Sequence, residues 1–551
     1  MQSRVELQAL GLLPHLPTTF LHGKDLDLLR PLRFLGPGQY PSRSDRPANL
    51  DPKADRRDLA QALASTNLSY GHPKADHLAE KFANPETRVV VAGQQPGLLG
   101  GPLYTLSKAV ATRLWADEIE KSGEVAVPLF WVANDDHDFR EIAQATFPTS
   151  DGPIKLDLGD DPAPLMPVGM RSLGSPIETL LHQLKERVPG ERFESWVNEL
   201  EQWYTPEARF GEAFCRLMVR LLGERCPLMV DSVHPAMKAA QRPWLKRLVD
   251  RRDEVEKALL SQDKRISARG FELQVRPQRG ASPLFMLKDN ERRRIEWVAG
   301  SIGSTDSSNS DGPENSSYIL RGGSGGVIAI SNLLAVIEEN PIVVSPGVLA
   351  RPAIQDAVLG TAVQIMGPGE ISYLPQVAPI YEILGIEAPW VTLRPQMMVL
   401  ESHHQKKLEA AELSLAQLLS PDFEAQHHLA QGLDIDLMGP LRRTLDIRLA
   451  ELMENAVQID PSLEGPWNKT SKQIAKSLDS FSTRLRAAIA RRDEVAARRL
   501  SDLRSATVPL GTMQERIISS AYFTGRHGER FVEALFEQLT LDPTTLHLIQ
   551  P

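Results

Sequence analysis

Two short apolar, β-branched runs, residues 88–92 and 125–132, bracket a stretch at 103–121 where Leu103, Leu106, Val110 and Leu114 recur at helical spacing. Apolar runs of that length without alternation suit strands buried on both faces, as in a parallel sheet. Between the first run and the helix lie ten residues, 93–102, holding four glycines and two prolines, so an unusual loop is predicted there. The second run leads straight into Asn134-Asp135-Asp136-His137-Asp138. The unit reads as β-loop-α-β. It places the glycine-rich loop and the acidic cluster together at the carboxyl edge of a sheet, where open α/β folds bind ligands.

The same reading extends along the chain. Residues 1–50 show little periodicity and read as an irregular arm that includes a strand. Helices are predicted at 57–65, 73–82, 177–188, 193–204 and 210–222, with a long one at 234–262. Short strands are predicted at 154–158, 227–231, 270–274, 284–288 and 293–298, the last two forming a hairpin across Asp289-Asn290. The Ser/Gly/Asn/Asp-rich stretch 300–326 reads as a mobile surface loop. A helix at 328–338 follows, then a strand near 343–346. Residues 354–365 read as helix then strand, ending in Gly367-Pro368-Gly369-Glu370. A helix runs on to 384, and a strand follows at 390–391.

Past about 399 the pattern becomes helical, with segments at 398–419, 433–459 and 470–503. One stripe holds Leu437, Leu441, Leu445, Leu449, Leu452 and Ala456. Another holds Ile474, Leu478, Phe481, Leu485, Ala488, Arg492 and Val495. That seam predicts an antiparallel coiled-coil hairpin broken at 460–466. It is too apolar for a solitary arm, and a second copy of the chain is the simplest partner. The expected organisation is an α/β core with a parallel sheet over 1–398, a helical coiled-coil domain over 399–508, and a tail over 509–551 that packs back on the body.

Composition narrows the function classes. The 551 residues suit a soluble multidomain protein, at 42% hydrophobic and 24% charged. A net charge of −9 argues against a generic nucleic-acid binder. Cys215 and Cys226 are the only cysteines, without metal-finger spacing, so neither a disulfide framework nor a structural zinc site is expected. No signal-peptide pattern and no long apolar span are read, so the expected home is cytoplasmic and off the membrane.

The candidate chemistry sits at the sheet edge. The loop Gly93-Gln94-Gln95-Pro96-Gly97 precedes a helix amino terminus as a phosphate cradle would. It matches neither a P-loop nor a dinucleotide fingerprint, and a tight structural crossover is the alternative. The acidic cluster is open to three roles: divalent metal, general base or ammonium site, against a solvated loop. Arg351 and Gly369-Glu370 end later core elements; the arginine suits a carboxylate or phosphate, and Gly369 lets the backbone approach a ligand. His403-His404 and His427-His428 are read as surface residues, because adjacent positions face different sides of a helix.

The blocks VVVAGQQPGLLGGPLYTLSKA, PLFWVANDDHDFREI, RPAIQDAVLGTAVQIMGPGEISYL, LRPQMMVLE and QERI…GRHGERF resemble, in order and spacing, the cysteine ligase family of bacillithiol biosynthesis, the BshC family. The resemblance implies a Rossmann-like core with inserted connecting segments, related to class I nucleotidyl-transferring ligases, and a coiled coil used for homodimerisation. It also implies amide formation between L-cysteine and glucosaminyl malate. The H-x-G-H and K-M-S-K-S signatures of class I synthetases are missing, so the activating cosubstrate stays open, with ATP or ADP as candidates. On this reading Gln94, Gln95, Gly97, Tyr104, Lys108 and Asn134 bind substrate. Asp136, His137 and Asp138 bind the amine, with His137 as general base. Arg351 binds a carboxylate, while Glu370 and Tyr373 meet sugar hydroxyls. Arg394, Ser505, Gln514 and Arg526 form a second, nucleotide-binding pocket, and no metal set is assigned. The competing classes are a non-catalytic coiled-coil scaffold sensing a nucleotide or thiol, and a nucleotidyltransferase acting on another small acid.

Overall fold

The computed structural model describes residues 4–40, 56–149, 151–276, 278–298, 317–322, 327–420, 422–425, 438–492 and 494–551. Most of the predicted 300–326 loop, His427-His428 and the seam residue Leu437 lie outside the described residues. The chain divides into two compact units. One comprises Met1–Leu400 with Thr512–Pro551, the other Glu401–Gly511. No helix among the described residues is long and apolar enough to cross a membrane.

The first unit is built on six parallel strands: β1 (Arg33–Phe34), β2 (Arg88–Gln94), β3 (Ala126–Val132), β4 (Leu228–Asp231), β5 (Thr361–Met366) and β6 (Trp390–Leu393). Their spatial order is β1-β6-β5-β2-β3-β4. From β2 the chain steps outward through β3 to β4, then returns to lay β5 on the other side of β2. The junction of β2 and β5 is therefore the switch point of the sheet. Alternate side chains feed two cores. Val90, Ala92, Phe130 and Val132 enter one, and Val89, Val91, Leu129 and Trp131 enter the other. Burial of both faces explains the unalternated apolar runs.

A second sheet is inserted between β4 and β5. It is antiparallel, ordered Ile328–Ala329, Ser317–Leu320, Glu291–Val298, Ala281–Lys288, Val344–Pro346. The hairpin turns where predicted, with Asp289 (φ 54°) and Asn290 (φ 64°) both left-handed, as a two-residue turn with right-handed strand twist requires. A third sheet ties the two ends of this unit together. Thr545–Ile549 pairs antiparallel with Arg4–Glu6 and parallel with Gln396–Val399.

Several expectations are corrected. Ser317–Leu320, inside the stretch read as loop, is a strand paired with Glu291–Val298. Residues 270–274 form no strand. Nearby, the Gln376 amide accepts from Val275 N–H (3.1 Å) and donates to Val275 O (2.5 Å), taking up backbone groups a sheet would use. The long helix at 234–262 is two, Pro235–Asp250 and Arg252–Ala268, separated at Arg251. The helix read at 398–419 is a strand, Gln396–Val399, followed by helices Ser402–Ala410 and Leu415–Leu419.

In the second unit, helices Gly439–Ile459 and Glu464–Arg492 run antiparallel about the turn Pro461–Leu463, with Arg442 ion-paired to Asp479 across them. No residue of Gly439–Ile459 is buried. Leu445, Leu449, Ile474, Leu478 and Leu485 are half-buried, whereas Leu441, Leu452 and Phe481 are exposed.

Candidate active site at the sheet switch point

The carboxyl ends of β2, β3, β5 and β6 open into a cavity of about 740 Å³, roofed by the inserted hairpin. Its wall carries seven basic side chains (Lys108, Arg276, Arg292, Arg294, Arg351, Arg394 and Arg516) and four acidic ones (Asp135, Asp136, Glu141 and Glu370). A cationic cavity in an acidic chain selects anionic ligands.

The glycine-rich loop is wound tightly. Leu99 (φ 51°), Gly100 (φ 85°) and Gly101 (φ 65°) are consecutively left-handed, and Leu99 is fully buried. Contacts from far along the chain hold this conformation. Ser519 Oγ donates to Leu99 O (2.7 Å), Ser520 N–H to Gly101 O (2.8 Å), and Leu103 N–H to Ile518 O (2.9 Å).

Lys108 is 2% exposed and commits all three ammonium protons, to Gly93 O (2.7 Å), Gln94 Oε1 (3.0 Å) and Glu370. It thereby links β2 to the first turn of the helix Pro368–Leu384, which follows β5, across the switch point. Burial pushes its pKa down, with Glu370 opposing that shift. Glu370 also accepts from Gly367 N–H (2.8 Å), and Arg351 donates to Gln355 (2.9 Å) and to the Tyr373 hydroxyl (3.1 Å). Burial raises the Tyr373 phenol to about 12. Glu370 and Tyr373, expected to meet sugar hydroxyls, are bonded to Lys108 and Arg351 on the cavity wall.

Across the cavity, Asp136 accepts from Gln95 Nε2 (2.7 Å) and from His137 N–H (2.8 Å). Arg292 donates from Nη1 to His137 Nδ1 (3.1 Å), from Nε to Ser345 (3.0 Å) and from Nη2 to Pro346 O (3.0 Å), and it lies over the Phe285 ring. Burial, then the Arg292 charge, hold His137 below its ordinary pKa. Three buried atoms on the cavity wall have no hydrogen-bond partner among the described residues: Trp131 Nε1, a donor, Gln95 Oε1, an acceptor, and Asp135 Oδ2, which is ion-paired to Lys238 at 3.5 Å. Buried polar atoms left so are costly unless a ligand meets them.

Of the residues expected here, Gln94, Gln95, Tyr104, Lys108, Asp136, His137, Arg351, Glu370, Tyr373 and Arg394 line the cavity. The others do not. Gly97 packs against Gly101, whose Cα would lie 2.7 Å from any added Cβ. Asn134 donates to Asp231 (2.6 Å) and sits where a Cβ on Gly211 would come within 2.5 Å of its amide. Asp138 caps the Phe139–Ile142 turn by accepting from Glu141 N–H. Gln514 clamps the Val399 backbone through both ends of its amide, and Arg394 forms a bidentate pair with Glu515. Arg526 is exposed and stacks over Tyr522, while Ser505 is exposed on the Glu494–Thr507 helix of the other unit. His403 and His404, read as surface residues, are exposed and half-buried. Their donor atoms lie within 4.8 Å of one another and of the Glu401 carboxylate.

Sequence reasoning missed Arg292, Arg294, Phe285, Trp131 and Glu141. The available signal was the alternation Arg292/Arg294 at the start of the hairpin's second strand, predicted from 293 and observed from Glu291, which sets two cations on one face.

A parallel sheet with a cationic cavity at its switch point defines a Rossmann-like α/β protein, here carrying a helical coiled-coil unit. Comparison with known sequences makes the assignment specific. Residues 37–395 match the family described as "Bacillithiol biosynthesis BshC, N-terminal Rossmann-like domain", and residues 397–549 match its C-terminal coiled-coil domain. The chain belongs to the BshC family. It is similar to proteins named "Putative cysteine ligase BshC" from Salinibacter ruber (29% identity, covering 93% of this chain and 92% of the relative) and Desulforamulus reducens (26%, 91% and 91%). A third, with the same name, comes from Bacillus mycoides (26%, 88% and 88%).

Proposed function

We propose that the chain is an amide-forming ligase that joins the carboxyl of L-cysteine to the amine of glucosaminyl malate in bacillithiol biosynthesis. The observation that carries this reading is the switch-point cavity, with its excess of basic over acidic side chains. Both substrates carry carboxylates, and the volume lies within the roughly 300–1,000 Å³ usual for small-molecule sites. Family membership and the names of the relatives agree with it.

In this reading Arg351, aimed by Tyr373, holds a carboxylate at the β2/β5 junction, and Lys108, whose protons all go to protein acceptors, fixes the geometry of that junction. Trp131 Nε1 and Gln95 Oε1 take a sugar hydroxyl, which can both accept and donate. The cysteine carboxyl must carry a leaving group before an amine can displace it. A nucleoside triphosphate supplies that group as an acyl phosphate or acyl adenylate, and the cationic wall stabilises the charge that leaves. The working form is a homodimer assembled through the exposed apolar positions of the coiled-coil unit.

The test is incubation of the purified protein with cysteine, glucosaminyl malate and ATP, reading the thiol product by mass spectrometry. Product that disappears in Arg351→Ala is expected. A folded protein that binds nucleotide and both acids yet forms no product would favour the scaffold reading instead.

A further inference from the structure

We propose that Glu141 is the general base of this site, and that Arg292 holds His137 as a neutral hydrogen-bond donor. The inference rests on the ligase reading and adds to it the group that receives the amine's proton.

Hydrogen-bond accounting leads there. A guanidinium only donates, so the Arg292 Nη1 contact with His137 makes Nδ1 the acceptor and leaves the single ring proton on Nε2. His137 in that state offers the cavity an N–H and no lone pair. Lys108 has spent all its protons on protein acceptors and, as an ammonium, has no lone pair. Glu370 is ion-paired to Lys108 and lies 4.0 Å from Arg351, and Asp135 is ion-paired to Lys238 at 3.5 Å, so a cation stabilises the charged form of each. Asp136 accepts on both oxygens. Glu141 differs. Among the described residues no cation is ion-paired to it, its one hydrogen bond is from Gln94 Nε2 to Oε1 (3.3 Å), and the side chain lines the cavity.

The same contacts orient it. Lys108 donates to Gln94 Oε1 and Gln94 donates onward to Glu141, while Asp138 caps the short turn that carries it. The charged and titratable groups that act on it are Asp138, Asp136, Lys108, Glu370 and Tyr104. Desolvation at the cavity wall, then the Asp138 and Asp136 carboxylates, raise Glu141 to about 6. A base of that strength is ionised at neutral pH yet accepts a proton more readily than an ordinary carboxylate.

The step balances simply. The substrate ammonium gives one proton to Glu141 Oε2, leaving a neutral amine and a carboxylic acid. The amine lone pair forms the C–N bond as the C–O bond to the phosphoryl or adenylyl group breaks. That group departs with the bonding pair and takes the second proton from the N-protonated amide, so the amide N–H, the Glu141 acid and the protonated phosphate or nucleotide account for all three ammonium hydrogens.

The experiment uses full-length protein and compares Glu141→Gln, Glu141→Asp and His137→Gln over pH 5–9, with cysteine, glucosaminyl malate and ATP. Glutamine at 137 keeps an N–H donor. The expected result for Glu141→Gln is a kcat lower by about 10²–10⁴-fold. Its KM and its calorimetric binding of glucosaminyl malate should stay near wild type, and the acid limb near pH 6 should vanish. Glu141→Asp should restore part of the turnover with the limb retained, and it carries the test if Glu141→Gln does not fold. His137→Gln should lower turnover but keep the limb. Wild-type kcat in Glu141→Gln, or loss of the limb in His137→Gln alone, overturns the inference and leaves the ligase reading intact. A wild-type protein that makes no product overturns both.

Discussion

Arg394 and Glu515 are each about 3% exposed at their side chains and meet in two hydrogen bonds of 2.8 and 2.7 Å. Breaking a buried pair from one side strands the other charge, so Arg394→Ala should cost on the order of 3–5 kcal/mol. Urea unfolding measures it, and a loss below about 1 kcal/mol would show that water reaches Glu515. Asp356 sets a pH dependence. Burial raises it to about 7, although Tyr381 donates to it at 2.6 Å. Its folded pKa lies above the unfolded one, so the unfolded state loses its proton first as pH rises. Stability should therefore fall between about pH 4 and 7, by up to about 4 kcal/mol. Asp356→Asn should flatten that fall, and melting curves at pH 5 and 8 decide. At the cavity, Arg292→Gln removes a cation that disfavours imidazolium, so the His137 pKa should rise, as NMR titration would show.

Among the elements, the glycine-rich loop is the most sensitive. Gly97→Ala would press a methyl against the Gly101 backbone, at an expected cost of about 1–3 kcal/mol by chemical denaturation. A neutral substitution there would mean that the loop yields. This unit was also the most legible in the sequence. The 88–132 pattern announced two buried strands, a glycine loop and a helix, because local periodicity carries that information. Local pattern failed where distant groups decide. Met398-Val399 reads as the start of the helix expected over 398–419, and the strand Gln396–Val399 takes in both residues. It is a strand because Thr545–Ile549 lies beside it. Residues 270–274 carry strand-like residues, but a side chain 101 positions away claims the backbone nearby. The site was half legible for the same reason. Gln94, Lys108 and Asp136 stand on the core unit, whereas Arg292 and Phe285 arrive on an inserted hairpin whose placement no local pattern records. Asp138 shows the opposite error: a carboxylate next to a histidine suggested catalysis, and it caps a turn.

On the scale of the whole molecule, the coiled-coil unit leaves Leu441, Ile447, Leu452, Phe481 and Ile459 between 46% and 84% exposed. If a second copy covers them, light scattering should report a dimer, and Leu452→Glu with Phe481→Glu should shift it to monomer while helicity persists. A wild-type monomer at micromolar concentration would remove that part of the reading. The loop that shapes the cavity is clamped by Ser519, 420 positions later, and Arg394 waits for Glu515 in the same way. During synthesis the sheet and its loop therefore leave the ribosome long before the residues that lock them. A nascent chain or a prematurely terminated fragment holds an unlatched pocket, so translation itself delays the appearance of a finished site until the distant clamp has been made.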